Sequence, residues 1–283
     1  TYLVGVPTHA IDLLVASRQR GDRNLGKVTA FQLAGSPIPG EVVEELLALG
    51  VKPQNTYGMT ENCSFQYTRP DDQTEIVIKT CGRSCDGFEL KVWNQENANA
   101  EVAVGEVGEL GGRGACLMLG YFDDQFGTEA SFNTHGWFMT GDLGVVDREG
   151  NLQIVGRKKD LIIRGGHNIH PARIEDLTMR HKAVAKVAVI PVPDSRLGEK
   201  ACVAVVLHDS SDLDPNALLS HLHDLGLSRY EMPEYFARMP SFPLTASGKI
   251  LKRSLVEMLK QGLLVPTPIR WSGSSSSDLD EQR

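Results

Sequence analysis

The chain has 283 residues, of which 41% are hydrophobic and 23% are charged, and it carries a formal net charge of -7. This composition is typical of a globular protein with about two domains. The acidic balance argues against a nucleic-acid-binding surface, which needs a basic stripe, and the longest apolar run, at 184–192, is too short to span a bilayer. Five scattered cysteines favour reduced thiols in a cytoplasmic protein over a disulfide framework.

The first 156 residues alternate between helical and extended patterns. Residues 40–50 place apolar side chains at helical spacing and end in glycine, which predicts an amphipathic helix. Residues 75–79, 88–94 and 106–114 are β-like, the first two with alternating apolar side chains. Residues 144–156 predict a hairpin whose turn lies between Asp147 and Asn151.

The pattern changes after residue 160, where a compact α+β module of about 100 residues is predicted. Its predicted helices are 173–181, 214–225 with Asp214 as N-cap, and 249–262, which begins at Lys249. Its predicted buried strands are 184–192 and 201–208. The polar residues 271–283 predict a disordered tail.

Four short segments carry residue types that suit phosphate chemistry. In YGMTEN, the Thr60 hydroxyl can donate to a phosphate and the Glu61 carboxylate can hold a hard cation. In GWFMTGD, Asp142 stands at a predicted strand end, where it could accept from a ribose diol. GRKKDLIIRGGHNIHP and PLTASGK, which ends at Lys249, complete the set. Taken singly, each segment also fits a purely structural role. YGMTEN could be a polar turn, Asp142 a turn aspartate, and Lys249 a solvated surface lysine.

In their order and spacing, these four segments closely resemble the signature series of the AMP-forming acyl-CoA ligases, members of the adenylate-forming superfamily. The resemblance covers nearly all of residues 1–260. It implies a fold of mixed α/β and α+β class. Residues 1–158 would be the C-terminal part of the large AMP-binding domain, with sheet and β-barrel elements, and residues 159–270 a small mobile α+β domain.

The resemblance also implies an acid–thiol ligase reaction in two steps. A carboxylic acid attacks Mg-ATP to give an acyl-adenylate, and the thiol of coenzyme A then takes the acyl group. Carried over onto this sequence, Thr60 would contact phosphate and Glu61 would ligate Mg²⁺. Asp142, helped by Arg157, would hold the ribose hydroxyls. Tyr57 would stack on adenine, and the nucleotide and acyl pockets would be lined by Gly35, Ser36 and Gly58.

In the small domain, the resemblance makes Lys249 the catalytic lysine of the adenylation step. The domain would pivot at Lys159 between the two steps. Gly165 and Gly166 would then leave room for the pantetheine arm of coenzyme A, because glycine has no side chain. His167 stands where family members often carry an acidic or aromatic residue.

The family's glycine-rich phosphate loop ending in lysine does not occur in residues 1–54, and the chain begins without Met. These observations predict the C-terminal portion of a ligase of about twice this length, which would not adenylate efficiently by itself. Exposed apolar surface would favour association with another chain, including homo-oligomers.

The sequence leaves open which carboxylic acid is the substrate and whether coenzyme A is the acceptor. GGHNIHPARIED resembles the corresponding segment of ligases for medium-chain and alicyclic or aromatic acids, such as cyclohexanecarboxylate-CoA ligase. The alternatives to a coenzyme A ligase are an adenylation domain that loads a carrier-protein thiol and a non-catalytic remnant that binds AMP or coenzyme A.

Overall fold

The computed structural model describes residues 1–245 and 248–271, and the chain divides into two units that meet between Lys158 and Lys159. Each unit has its own sheets and its own apolar core. Within the described residues, no helix has the length and apolar character that crossing a membrane requires. The mixed α/β and α+β class predicted from the sequence is confirmed.

The first unit opens with a five-stranded sheet. Its strands are β1 (Tyr2–Gly5), β2 (Ala30–Ala34), β3 (Lys52–Met59), β4 (Cys63–Tyr67) and β5 (Arg83–Ser84), and they lie side by side in that order. The pairs β1–β2 and β2–β3 are parallel, whereas β3–β4 and β4–β5 are antiparallel. Two parallel strands, β2 and β3, therefore end at the same edge of the sheet.

Helices α1 (Pro7–Arg20), α2 (Gly40–Ala48) and α3 (Thr74–Lys79) accompany this sheet. The predicted helix at 40–50 is confirmed as α2. Its buried side chains pack in the core of the unit, and Gly50, at φ +76°, ends it in the left-handed conformation that glycine adopts without strain. The helix thus packs against the sheet through Val42, Val43 and Leu46, which are among the apolar positions that predicted it.

The predicted strand at 75–79 is wrong, since these residues form α3. Alternating Ile76 and Ile78 suggested a strand, but only Val77 is buried in this short helix. An ion pair of 2.5 Å between Lys79 Nζ and Glu75 Oε1, one turn apart, supports the helical conformation.

The second sheet of the unit is an open antiparallel meander of four strands. These are β6 (Phe88–Trp93), β7 (Gly108–Gly114), β8 (Phe138–Val146) and β9 (Leu152–Arg157), with helix α4 (Gln125–Ala130) before β8. The predicted strands at 88–94 and 106–114 and the hairpin at 144–156 are confirmed. Among the described residues this sheet does not close into a barrel.

Main-chain hydrogen bonds join the two sheets of the first unit. The amide of Cys81 donates to the carbonyl of Leu152 at 2.7 Å, and the amide of Leu152 donates to the carbonyl of Gly82 at 2.9 Å. The segment after α3 and the start of β9 are therefore held together.

The second unit is built on one sheet with helices on both faces. In chain order it contains β10 (Ile162–Arg164), β11 (His167–Ile169), α5 (Pro171–Met179), β12 (Val184–Asp194), β13 (Gly198–Leu207), α6 (Pro215–Asp224), β14 (Tyr235–Arg238), α7 (Lys252–Lys260) and β15 (Thr267–Pro268). Successive residues of β13 face opposite sides, as strand geometry requires. Val203 packs in the core under α5 and α6, and Ala204 in the core under α7.

The helix ends of this unit follow local chemistry. The predicted cap of α6 is confirmed, because the Asp214 carboxylate accepts from the amide of Ala217. The predicted start of the last helix at Lys249 is wrong, since α7 begins at Lys252. Trp271, where the predicted tail begins, stacks on His223 with ring centroids 4.9 Å apart, and the rest of that tail lies outside the described residues.

Candidate functional site

A buried carboxylate forms the centre of the candidate site in the first unit. Asp142 lies in the interior of β8 rather than at a strand end as predicted, opposite Arg157 at the end of β9. Arg157 Nε lies 2.9 Å from Asp142 Oδ1, and the hydroxyl of Tyr57 donates to Oδ2 at 2.8 Å. Only 6% of the Asp142 side chain is exposed. Because both oxygens have partners, the buried negative charge is compensated.

The second partner of this carboxylate, Tyr57, is a neutral donor. Burial raises the pKa of the Tyr57 phenol well above its usual value, and the negative charge of Asp142 raises that pKa further. The ring of Tyr57 contacts the edge of Phe65, with centroids 5.7 Å apart. The side chain is therefore fixed at both its ring and its hydroxyl.

Residues of YGMTEN divide between a strand and a turn. Tyr57 and Gly58 lie near the end of β3, and Thr60 and Glu61 lie in the tight turn to β4. A β-carbon on Gly58 would lie 1.8 Å from the carbonyl oxygen of Cys63, so only glycine fits there. The exposed Thr60 and half-buried Glu61 are thereby presented at the end of the hairpin.

Glu61 is anchored by a segment that lies outside the four motifs. The amide of Met118 donates to the main-chain carbonyl of Glu61 at 2.7 Å, and the hydroxyl of Tyr121 donates to Glu61 Oε1 at 3.2 Å. Thr140 was also missed; its hydroxyl accepts from the amide of Asp142 at 3.1 Å. Thr140 stands inside GWFMTGD, where a hydroxyl two residues before the aspartate was the available signal.

Gly35 and Ser36 follow β2 at the edge where β3 also ends. Ala34 pairs with Thr56 in the last register of β2 and β3, so Gly35 and Tyr57 continue from neighbouring strand positions. Gly35 adopts φ +89°, a left-handed conformation that turns the chain toward α2. The carboxyl edge of parallel strands is where ligands bind in open α/β sheets.

In the second unit, Gly165 and Gly166 form the two-residue turn between β10 and β11. Arg164 pairs with His167 across this turn, and the glycines adopt φ +57° and +85°, as hairpins with two left-handed residues require. The amide of Gly165 donates to the carbonyl of Leu197 at 2.8 Å. The ring of His167 stacks on Tyr230 at a centroid distance of 5.9 Å.

Lys249 lies in a hydrogen-bonded turn before α7. Its amide donates to Thr245 Oγ1 at 3.0 Å, and its carbonyl accepts from the amide of Thr245 at 2.8 Å. Leu244 and Ile250 form a bridge across the turn. The side chain of Lys249 is exposed, and the exposed Lys159 lies in a short 3-10 turn, Lys158–Asp160.

The structure thus brings Tyr57 and Arg157 each into direct contact with Asp142. The turn with Thr60 and Glu61 follows Tyr57 and Gly58 after one residue. The predicted residues Lys159, Gly165, Gly166 and Lys249 belong to the second unit. Among the described residues, no three His, Cys, Asp or Glu side chains are grouped to hold a metal ion.

Sequence models of known families match most of the chain. The model described as "AMP-binding enzyme" matches residues 1–122, and the model of the C-terminal domain of the same enzymes matches residues 173–249. The chain belongs to the AMP-binding enzyme family, as the resemblance predicted. This family includes the acyl-CoA ligases found as relatives.

Among those relatives of the AMP-binding family is the human mitochondrial medium-chain acyl-CoA ligase ACSF2. It is 33% identical over 266 residues, which cover 93% of this chain and 43% of that protein. The medium-chain fatty-acid–CoA ligase of Escherichia coli strain K12 is 33% identical over 256 residues, which cover 89% and 44% respectively. The chain therefore spans less than half the length of these curated relatives.

A solved structure of an AMP-binding enzyme is also similar. It is the o-succinylbenzoate coenzyme A synthetase MenE of Bacillus subtilis in complex with ATP and magnesium ion. The TM-score is 0.79 and the identity 31%, over 90% of this chain and 51% of that one.

Proposed function

We propose that this protein is an AMP-forming acyl-CoA ligase. It would activate a carboxylic acid with Mg-ATP to an acyl-adenylate and pyrophosphate, and transfer the acyl group to coenzyme A with release of AMP. The observation that carries the proposal is the buried Asp142 carboxylate, held by Tyr57 and Arg157, in a chain of a family that binds AMP.

Residues of the first unit would bind the nucleotide. Asp142 would accept from the ribose hydroxyls with help from Arg157, because carboxylates accept strong, charge-assisted hydrogen bonds. Tyr57 would present its ring to adenine. Gly35, in its left-handed conformation, would form the wall at the carboxyl edge of β2 and β3 together with Ser36 and Gly58.

Thr60 and Glu61 would bind the phosphates and the metal ion. Mg²⁺ in phosphoryl-transfer sites uses one or two carboxylates together with substrate phosphates and water, and the half-buried Glu61 at the turn supplies such a carboxylate. The donor set therefore fits Mg²⁺, which would neutralise phosphate charge when bound. The exposed hydroxyl of Thr60 would donate to a phosphate oxygen.

Lys249 would act in adenylation by placing its ammonium group between the substrate carboxylate and the α-phosphate, where negative charge grows. We propose that the second unit pivots at Lys159 between the two steps, so that Gly165 and Gly166 serve the thioester step. Their left-handed turn has no side chain to narrow a path for a pantetheine arm.

The proposed substrate is a medium-chain, alicyclic or aromatic carboxylic acid. The names of the two curated relatives support a medium-chain acid, and that of the solved relative supports an aromatic one. The cytoplasm, where thiols stay reduced, is the proposed compartment.

Carboxylate-dependent ATP–pyrophosphate exchange tests the proposal, measured on the longest natural form of the protein that carries this sequence. We expect Lys249→Ala to lower exchange by about 10²–10³, as loss of a preorganised charge does. Thioester formation from supplied acyl-adenylate and coenzyme A should remain. The matched control is Lys260→Ala, which removes an exposed lysine of the same unit that pairs with Glu257.

The acids to compare are octanoate, cyclohexanecarboxylate and benzoate, with coenzyme A or a carrier-protein thiol as acceptor. Exchange that Lys249→Ala leaves unchanged would contradict the role of this lysine. Exchange without transfer to coenzyme A, but with transfer to the carrier protein, would instead identify an adenylation domain.

A further inference from the structure

Two thiols, Cys63 and Cys116, lie beside the turn that carries Thr60 and Glu61, and Cys116 also interacts electrostatically with Cys85. Cys63 is the first residue of β4, directly after the turn, and is exposed, whereas Cys85 and Cys116 are half-buried. Partial burial raises the pKa of the Cys116 thiol, and the charges of Cys85 and Cys63 raise it further.

Cys116 approaches the main chain next to Cys63. Its Sγ donates to the carbonyl oxygen of Asn62 at 3.3 Å. In a planar trans peptide that oxygen lies about 2.8 Å from the next Cα atom, which puts Sγ of Cys116 no more than about 6 Å from Cα of Cys63. Since Sγ lies about 2.8 Å from its own Cα, the two Cα atoms are at most about 9 Å apart, and a disulfide requires the main chain to bring them within about 7 Å.

The segments that carry these two cysteines are already joined near Glu61. The amide of Met118, two residues after Cys116, donates to the carbonyl of Glu61, two residues before Cys63. A covalent bond between the cysteines would add to this contact without changing which segments are neighbours.

We propose that Cys63 and Cys116 form a reversible disulfide when the protein meets a peroxide, and that this bond fixes the turn bearing Thr60 and Glu61 to residues 116–118. Formation of the disulfide is independent of the proposed ligase activity. Any consequence of the fixed turn for phosphate binding rests on the roles proposed for Thr60 and Glu61.

The chemistry balances with hydrogen peroxide as the oxidant. The exposed Cys63 attacks one peroxide oxygen as a thiolate, the O–O bond breaks, and a sulfenic acid and one water result after proton transfer. Cys116 then attacks the sulfenic sulfur, and the second water leaves as the S–S bond forms. Two thiols lose two electrons and two protons, and one peroxide becomes two waters.

Tryptic mapping can test the proposal, because each thiol of the cluster falls on its own peptide. Cys63 lies on 28–79, as the lysine at 52 and the arginine at 69 both precede proline; Cys85 lies on 84–91, and Cys116 on 114–148. After peroxide treatment and alkylation of the remaining thiols, we expect peptide 28–79 linked to 114–148. Dithiothreitol should separate them.

Three serine variants and one dynamic measurement decide the outcome. Cys63→Ser and Cys116→Ser should each abolish the linked peptide, and Cys85→Ser should leave it unchanged. Amide exchange at residues 60–62 should slow at least tenfold on oxidation of the wild type and recover on reduction. Absence of a linked peptide in the folded wild type, or a link through Cys85, would overturn the proposal.

Discussion

The hydroxyl of Tyr57 and Oδ2 of Asp142 lie 2.8 Å apart, although 85 residues separate them in the chain. Tyr57 belongs to the first sheet and Asp142 to the second. This hydrogen bond and the ion pair to Arg157 hold the buried carboxylate of Asp142 at the centre of the candidate site.

Tyr57→Phe should destabilise the first unit by about 1.5–3 kcal/mol, the range for a hydrogen bond to a charged group. The ring packing against Phe65 is kept, so the loss reports the hydroxyl alone. Urea unfolding followed by tryptophan fluorescence measures it, since two of the three tryptophans, Trp93 and Trp137, lie in this unit, and Trp271→Phe removes the signal of the other unit. Tyr2→Phe, at an exposed tyrosine of the same unit, should change stability by less than about 0.5 kcal/mol.

Asp142→Asn should weaken AMP binding by at least tenfold, about 1.4 kcal/mol, because the amide keeps the shape of the side chain but loses the charge that strengthens acceptance from ribose hydroxyls. Titration calorimetry of the chain with AMP gives the dissociation constants. Glu149→Gln is the control, since it removes an exposed carboxylate in the nearby turn from β8 to β9. Equal affinities for wild type and Asp142→Asn would count against ribose binding at this site.

Gly166→Ala should slow the thioester step while adenylation continues. Gly166 has φ +85° and no atoms within 4 Å of an added β-carbon, so the cost to stability comes from backbone strain of about 1–2 kcal/mol. The control is Gly262→Ala. Gly262 has φ +72° and equally open surroundings, so the substitution causes similar strain, but it lies outside the β10–β11 turn. ATP–pyrophosphate exchange measures adenylation, and supplied acyl-adenylate with coenzyme A measures the thioester step. Similar thioester rates for the two variants would remove the proposed role of the turn.

His170 should make the second unit less stable in mild acid. Burial lowers the pKa of His170 below 6.5, and its buried Nδ1 has no hydrogen-bond partner in the described structure. Nearby Glu231 raises that pKa and Arg173 lowers it, but burial has the largest effect. Since the unfolded chain binds the proton more readily, the stability contributed by neutral His170 is complete above pH 6.5 and falls as the pH drops toward the folded-state pKa.

The measurement for His170 is the unfolding free energy of wild type minus that of His170→Asn, an uncharged variant that can cap α5. This difference should fall between pH 7 and pH 5 with a slope of at most about 1.4 kcal/mol per pH unit. His208→Asn, at an exposed histidine of the same unit, is the matched control. A difference that does not vary with pH would show that His170 takes up its proton equally in both states.

Elements with strong local signals could be predicted from the sequence. In α2 and α6, apolar spacing and capping residues within about a dozen positions predict the helix and its buried face. The turn residues between β8 and β9 predict the hairpin. α3 could not be predicted in this way. Its six residues are too few to show a helical period, and its β-branched Ile76, Val77 and Ile78 favour a strand on propensity alone.

The residues of the candidate site were predicted, but most of their contacts were not. Family resemblance pointed to Tyr57 and Asp142 singly, and no local pattern could show that they touch. Tyr121 was missed for the same reason, since it meets Glu61 across 60 residues of chain. Such contacts depend on the packing of two sheets, which sequence periodicity does not encode.

The pair of main-chain bonds that joins the segment after α3 to the start of β9 has a consequence for the order in which the first unit assembles. Cys81 and Gly82 meet Leu152 only when a loop of about 70 residues has closed, and such closure costs entropy before any contact compensates for it. Contacts of this sequence separation slow folding. The Tyr57–Asp142 contact has a similarly long sequence separation, so we expect it to form late and recovery of AMP binding during refolding to report completion of the unit rather than its initial collapse.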